Sequence, residues 1–194
     1  MRHFVRNLTL LMFVLLSKEM FAQNERFPTI TKQEMANFLN SFYQSDSFIK
    51  KLRFINVAQR PTWITDLPQF EIIDSVFTEL DISFFKFQLQ HFQSCTFNSS
   101  YIAAANFMDE KDFNRIFSVR AVDAVNAWDV FHKKYGLGYT LISWPVFSKD
   151  KMSCVLFVEY TSNRSESTGA LKIYKKENSS WKLFKEKYMW GNSK

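Results

Sequence analysis

The fold is decided by four segments near the C-terminus: YTLISWPVF (139–147), MSCVLFVEY (152–160), GALKIYKK (169–176) and WKLFKEKYMW (181–190). Each segment is as long as a strand and is rich in β-branched or aromatic residues. The connections SKDK, TSNRSEST and ENSS are short, and short connections between consecutive strands imply antiparallel hairpins. We therefore expect an antiparallel meander of about four strands.

Lysines are frequent in the last two segments. In GALKIYKK, the alternation predicts that Leu171 and Ile173 face the core, and that Lys172, Tyr174 and Lys176 face solvent. On two paired strands the lysines form a candidate basic surface of Lys172, Lys176, Lys182, Lys185 and Lys187. This surface either attaches to an anionic envelope polymer or lipid head group, or is a solvated face that protects an edge strand from aggregation.

Upstream of the meander, apolar residues repeat with the period of a helix. Thr31-Lys-Gln-Glu34 has the form of a capping box, and an apolar stripe follows it at Met35, Phe38, Leu39 and Phe42. Thr78-Glu-Leu-Asp81 starts another helix. Its apolar positions are Ile82, Phe85, Leu89 and Phe92, and its outward positions are Lys86, Gln88 and Gln90. Helices therefore precede the strands.

The region between the second helix and the meander is less regular. The stretch YIAAANFMDEKDFNRIFSV (101–119) fits either two strands joined by a loop or a short helix. Asp123 begins a clearer helix, DAVNAWDVFHKKYG, for which Gly136 is a natural C-terminal stop. Helices followed by strands predict one α+β domain over residues 23–194, with N-terminal helices packed on the meander.

The N-terminal residues resemble an export signal. Arg2 and Arg6 precede the apolar run Leu8 to Leu16, and Ala22 supplies a small residue for cleavage. Nine residues are too few to span a bilayer, which takes roughly 20, but they fit the apolar middle of a secretory signal, about 7 to 15 residues. We predict a signal over residues 1–22 and a periplasmic or secreted protein. The alternative is an ordinary amphipathic or buried first helix.

Composition limits the class of protein. Loss of residues 1–22 leaves 22 basic and 18 acidic residues, a net charge of +4, which gives no case for nucleic-acid binding. The chain has 22 phenylalanines but four glycines and four prolines, which favours long elements around an aromatic core. Its two cysteines, Cys95 and Cys154, either form one disulfide or remain thiols, with Cys154 buried in an apolar strand.

Motifs of common catalytic sites are absent from the sequence. It contains no G-x-S-x-G, no H-E-x-x-H, no C-x-x-C and no phosphate-binding glycine loop. His91 and Cys95 are four residues apart and, with His132 and Cys154, match a tetrahedral zinc site in ligand count and in the spacing of one pair. Ser94, Thr96 and Asn98 indicate, however, that the helix has ended before Cys95. We therefore predict no catalytic residues, no metal site and no cofactor.

One set of residues is nevertheless a candidate pocket near the helix–sheet junction. Its members are Trp128, Phe131, His132, Trp144 and Glu159. Glu159 interrupts the apolar run VLFVEY, so its carboxylate either lines a cavity, or reaches water or a lysine across the sheet. The aromatic members belong either to an apolar binding face or to the plain core.

The C-terminal two thirds resembles a group of uncharacterised exported proteins of Bacteroidetes bacteria. The resemblance is carried by DISFFKFQLQ, AWDVFHKKYG, ISWPVFSKD and GALKIYKKENSSWKLFKEKYMW, over roughly Thr78 to Trp190, and by the ending Phe-Ala-Gln of the signal. This chain departs from the group in TSNRSEST, where relatives tend to carry glycines and cysteines. The resemblance implies an exported protein and brings no activity.

These observations lead to two functional hypotheses. The first is a non-catalytic binding or accessory domain of the cell envelope, whose partner is an envelope polymer, a lipid or a small apolar ligand. The second is an enzyme or ligand-binding protein with a cone-shaped cavity, similar in outline to the nuclear-transport-factor-2-like superfamily. The second rests on analogy of fold, which does not imply function.

Export gives the first testable prediction. Expressed with its leader in a suitable bacterium, the protein should appear in the periplasm or medium without residues 1–22. Intact-mass measurement of the exported material checks this. Exported protein that retained residues 1–22 would contradict it.

Overall fold

The computed structural model describes residues 27–47, 49, 54–56, 73, 75–92, 98–108, 110–118 and 124–191. The chain divides into residues 1–30 and a compact unit from Thr31 to Lys194, and all described helices and strands lie in the second. The predicted signal over residues 1–22 lies outside the described residues, as does Cys95.

The unit contains helices followed by a strand-rich C-terminal half. The helices are α1 (Lys32–Ser45), α2 (Glu79–Phe92), α3 (Glu110–Phe117) and α4 (Ala124–Tyr135). The strands are β1 (Phe54–Asn56), β2 (Asn106–Met108), β3 (Tyr139–Ile142), β4 (Val146–Phe147), β5 (Ser153–Thr161), β6 (Ser167–Glu177) and β7 (Ser180–Trp190). The predicted α+β class with a C-terminal antiparallel meander is confirmed.

The strands form one sheet in the order β2-β1-β3-β5-β6-β7, with β4 also paired to β5. The meander from β3 to β7 is antiparallel, whereas β1 is parallel to both β2 and β3. The first predicted strand, YTLISWPVF, is divided into β3 and β4. Ser143 bridges the break, since its N–H donates to Phe157 O and its Oγ accepts from Phe157 N, each at 3.0 Å.

Local sequence signals set the helix ends. The Thr31 Oγ1 accepts from Glu34 N at 3.2 Å while a Glu34 carboxylate oxygen accepts from Thr31 N at 2.8 Å, which completes the predicted capping box. Thr78 and Asp81 repeat this reciprocal pair at the start of α2. At the end of α4, Gly136 has a φ of 91°, which glycine adopts without strain, and its N–H donates to His132 O.

The ambiguous stretch 101–119 contains both kinds of element. Asn106–Met108 forms β2, and the following residues form α3 rather than a second strand. Asp112 joins α3 to α4, because its carboxylate accepts from Tyr135 Oη at 2.8 Å and pairs with Lys134. The short-helix alternative was therefore correct for the second half of the stretch.

Both faces of the central strands β5 and β6 are covered, which the sequence did not predict. The first face carries Val155, Phe157, Leu171 and Ile173, and α2 packs on it through Phe85. Helices α3 and α4 pack on the same face of the sheet, against Tyr139 and Leu141 of β3.

The second face of the meander packs against α1. Phe38 lies edge-on to three aromatic rings, with centroid separations of 5.7 Å to Phe147, 5.4 Å to Tyr174 and 5.1 Å to Trp181. The prediction that Tyr174 faces solvent is therefore wrong: the side chain is buried under α1. The alternation in GALKIYKK was correct, but the outward face it assigned is a second core.

Gln88 was predicted to face outward, and this is also wrong, since it is 2% exposed. Its Nε2 donates to Phe147 O at 2.8 Å, and its Oε1 accepts from Phe147 N at 2.9 Å. The side-chain amide thus pairs with the free edge of β4 as another strand would, which satisfies a buried backbone donor and acceptor.

Within the described part of the chain, no helix is both long enough and apolar enough to cross a membrane.

The amide of Gln88 yields the second prediction. Gln88→Leu keeps an apolar body on α2 but leaves the N–H and C=O of Phe147 buried without this partner. We expect it to lower the free energy of unfolding by about 2–4 kcal/mol. The matched control Gln90→Leu, on the exposed side of the same helix, should change it by less than about 0.5 kcal/mol. Urea unfolding measures both, and equal losses would contradict the role of the amide.

Candidate functional site

Three members of the predicted pocket lie together on α4. The Trp128 ring lies 5.2 Å from Phe131 and 5.5 Å from His132, and it stacks on Tyr139 at 6.1 Å. Phe131 is fully buried in the core cluster of α3, α4 and β3. The exposed His132 places its Nε2 2.8 Å from Ser162 O, so it fastens the end of α4 to the β5–β6 loop. This cluster joins helices to the sheet.

Trp144 is placed in a different contact. It lies in the break between β3 and β4, is buried, and meets Tyr101 edge-on at a centroid distance of 5.1 Å. The structure therefore brings Trp128, Phe131 and His132 together and gives Trp144 a separate partner.

Glu159 lies on the first face of the sheet, between Leu141 and Gly169. Its Oε1 accepts from Ser167 Oγ at 2.8 Å and from Thr161 Oγ1 at 3.2 Å. The indole N–H of Trp190 donates to the same Ser167 Oγ at 3.3 Å. The half-buried carboxylate thus belongs to a hydroxyl network across β5, β6 and β7, and its described partners are not lysines.

Gly169 leaves space for the indole ring of Trp190, which belongs to this network. Trp190 lies over Gly169, where an added Cβ would be 2.5 Å from the indole ring. The same indole contacts Phe157 at a centroid distance of 5.4 Å. Any larger residue at Gly169 would displace Trp190 from the sheet.

The most unusual polar group is Lys172, which is 6% exposed. Its predicted place on a basic surface is wrong, because it lies on the second face of β6 under the end of α1. The Nζ is 2.7 Å from Asp46 Oδ2, 2.8 Å from Tyr160 Oη and 3.2 Å from Glu186 Oε1. We call Lys172, Asp46, Tyr160 and Glu186 the Lys172 cluster.

Both carboxylate oxygens of Asp46 accept hydrogen bonds. It follows α1 directly, and its Oδ1 accepts from Ile49 N at 3.1 Å. Its Oδ2 accepts from Tyr160 Oη at 2.5 Å and from Lys172 Nζ. The end of α1 and the strands β5 and β6 therefore meet at one carboxylate.

Burial also affects the tyrosines of both faces. It raises the pKa of Tyr160 far above its ordinary value, and the adjacent carboxylate of Asp46 adds to the shift. Burial likewise raises the pKa of Tyr174. On the first face, burial raises the pKa of Tyr139 to about 12. These phenols remain protonated at neutral pH, so Tyr160 acts as a hydrogen-bond donor to Asp46.

The remaining lysines of the predicted basic surface lie on the β6–β7 hairpin. Lys176 faces α1 beside Trp181, with its Nζ 5.9 Å from the ring centroid. The register of β6 and β7 places four lysines together on the first face: Lys175, Lys182, Lys185 and Lys187. Phe184, 46% exposed, lies among them with its ring centroid 3.8 Å from Lys175 Nζ. We call these five residues the lysine strip.

Two lysines of the lysine strip have polar partners. Lys182 pairs with Glu177 at 2.8 Å, and Lys185 donates to Ser75 Oγ at 3.1 Å. Lys187 is exposed. Strand β7, an edge of the sheet among the described strands, also carries exposed Leu183, Tyr188 and Trp190.

The candidate metal ligands are not assembled in the described structure. Among the described residues there is no group of three or more His, Cys, Asp or Glu side chains placed to hold a metal ion. Cys154 is a free, fully buried thiol on β5, as predicted, and burial raises its pKa well above the ordinary value. A thiol in such surroundings carries little thiolate and is a poor nucleophile.

The chain was compared with family models, curated proteins and solved structures, and none of them matches.

The sequence did not indicate the Lys172 cluster. The signal available for Asp46 was its place in Ser45-Asp46-Ser47, which indicates a helix end but not a burial site. Tyr160 and Glu186 each follow a normal strand alternation. The register of β6 and β7 pairs Glu186 with Lys172, and the packing of α1 on the sheet brings Asp46 to them.

The raised pKa of Tyr139 gives the third prediction. Below pH 10 the phenol is neutral whether folded or unfolded, but between pH 10 and about 12 it ionises only in the unfolded chain, so stability is lost as pH rises. Tyr139→Phe removes this contribution. Between pH 8 and 11 the wild type should lose about 1.4 kcal/mol more unfolding free energy than the variant. Urea titrations at both pH values measure this, and parallel losses would contradict it.

Proposed function

We propose that the protein is an exported, non-catalytic binding domain that attaches to an anionic lipid surface of the cell envelope through the lysine strip. The observation that carries the proposal is the interleaving of lysines with an exposed aromatic ring on one face of an edge hairpin. The export signal predicted for residues 1–22 and the resemblance to exported proteins support the location in the envelope.

The chemistry of the strip suits a lipid head-group region. Anionic head groups attract clustered lysines, and an aromatic side chain among them enters the boundary between head groups and acyl chains. Lysine stems also extend along apolar surface while their ammonium groups stay hydrated. Phe184 beside Lys175 has this arrangement, and exposed Tyr188 and Trp190 lie on the same strand.

The hairpin is also well suited to present the strip in a fixed shape. Strands β6 and β7 are paired from Gly169–Trp190 to Glu177–Ser180, and Trp181 packs against Phe38 of α1 on the opposite face. An ordered strip has less conformational entropy to lose when it binds than a flexible tail has.

The cavity-enzyme alternative draws no specific support from the described contacts. It would place Glu159 or His132 in a deep pocket lined by aromatic side chains. Glu159 instead bonds to Ser167 and Thr161, while His132 bonds to Ser162 O. We therefore propose the lysine strip, rather than a cavity, as the functional site.

Vesicle binding provides the fourth prediction. The full mature chain should sediment with phosphatidylglycerol vesicles but not with phosphatidylcholine vesicles, and rising salt should weaken the binding. Since each lysine near an anionic surface contributes about 1 kcal/mol, Lys175→Gln with Lys187→Gln should weaken the affinity about thirtyfold.

The control for this experiment removes the same charge elsewhere. Lys86 on α2 and Lys133 on α4 are both exposed and lie outside the strip. The pair Lys86→Gln with Lys133→Gln should leave most of the affinity. Equal losses in both pairs would contradict a local site. Binding to a soluble anionic polysaccharide but not to vesicles would replace the lipid by a polymer and overturn the proposal.

A further inference from the structure

We propose that the Lys172 cluster is an autocatalytic cross-linking site, at which Lys172 Nζ and Asp46 Cγ join in an intramolecular isopeptide bond. The inference is independent of lipid binding, because it concerns the second face of the sheet. It rests on four features of the cluster: contact between the reacting groups, their burial, a phenol that bridges them and a second carboxylate.

The reacting groups are already in contact. Lys172 Nζ lies 2.7 Å from Asp46 Oδ2, the oxygen bonded to the carbon that the amine would attack. Intramolecular reactions in which the reacting atoms are well oriented reach effective concentrations of about 10⁵–10⁸ M, and this contact brings the amine next to the carbon it would attack. The bond would join residues 126 positions apart in the sequence.

Burial favours the product over the ion pair. The Lys172 and Asp46 side chains are only 8% and 5% exposed, whereas both partners of the surface pair Lys182–Glu177 are more than half exposed. Amide formation from an amine and an acid releases water, so exclusion of water favours it. It also replaces two buried charges by one neutral amide, which removes the desolvation cost that a buried ion pair carries.

Tyr160 supplies a path for the first proton. Lys172 Nζ donates to Tyr160 Oη at 2.8 Å, and Tyr160 Oη donates to Asp46 Oδ2 at 2.5 Å. A proton that moves from Nζ to Oη while the phenol proton moves to Oδ2 converts the ion pair into an amine and a carboxylic acid. The phenol is regenerated, which agrees with its strongly raised pKa.

Glu186 supplies the path for the second proton. The neutral Nζ attacks Cγ, and a C–N bond forms while the carbonyl electrons move to Oδ1, where the Ile49 N–H lies at 3.1 Å. The Glu186 carboxylate, 3.2 Å from Nζ, then takes a proton from the nitrogen and delivers it to Oδ2. The C–Oδ2 bond breaks and water leaves. Nζ has lost two protons, both now on the water, so no oxidant or other co-reactant is required.

The surroundings suit this chemistry. Tyr174, buried beside the cluster, and Phe42 of α1 lie against each other with ring centroids 5.9 Å apart. Apolar rings strengthen electrostatic interactions inside a site because they exclude water. The Lys172 Nζ also lies 5.2 Å from the centroid of the Tyr160 ring.

Intact-mass measurement of the denatured, reduced full chain tests the proposal. The wild type should be lighter than its sequence mass by one water molecule. Proteolysis should release a branched peptide that contains both Asp46 and Lys172. Lys172→Arg keeps the positive charge but cannot form the amide, so it should have its full mass. Glu186→Gln should form the bond more slowly or not at all.

The control Lys182→Arg changes the exposed ion pair and should keep the loss of one water. A folded wild-type chain with its full sequence mass would overturn the proposal, whether or not any variant folds. A loss of water that persisted in Lys172→Arg would also overturn it, because the water would then come from another site.

Discussion

Burial of β5 on both of its faces is the constraint on which the rest of the structure depends. Val155 and Phe157 point to α2, while Cys154, Leu156 and Val158 point to the opposite side, and all of them are fully buried. A strand of this kind needs a cover on each side, since neither row of side chains tolerates water. Helix α1 covers the second face of the sheet, and α2, α3 and α4 cover the first face. The Gln88 amide then closes the edge that β4 leaves open.

This constraint explains which features the sequence predicts and which it does not. The capping boxes at Thr31 and Thr78 depend on contacts within four residues, so they are readable locally. The meander is readable because its connections are short. The burial of Lys172 and Tyr174 cannot be predicted from the sequence, because an alternating strand has the same pattern whether its polar face meets water or a helix. Strands β1 and β2, three residues each, are too short to show any alternation.

In the candidate site, too, local features were predictable from the sequence and long-range contacts were not. Trp128 and Phe131 lie three residues apart in the helix predicted from Asp123, and the structure places them in one cluster because that spacing is a local property of α4. Trp144 was grouped with them by residue type alone, and it contacts Tyr101 instead. The lysine strip was recognisable as a charge-rich hairpin, but the place of Phe184 among its lysines was not. The contact of Phe184 with Lys175 follows from the irregular register near Ile173 and Tyr174, which no alternation pattern predicts.

The Lys172 cluster and the lysine strip lie on opposite faces of the same hairpin, and this arrangement links them mechanically. Among the described strands, β7 pairs with β6 alone, so its position depends on β6. Lys172 of β6 binds Asp46 at the end of α1, and Glu186 of β7 closes the same cluster. The hairpin is thereby held to the helix behind it at the middle of both strands. The same contact fixes the hairpin against α1, which gives a physical reason to concentrate charge pairing, or a covalent bond, at Lys172.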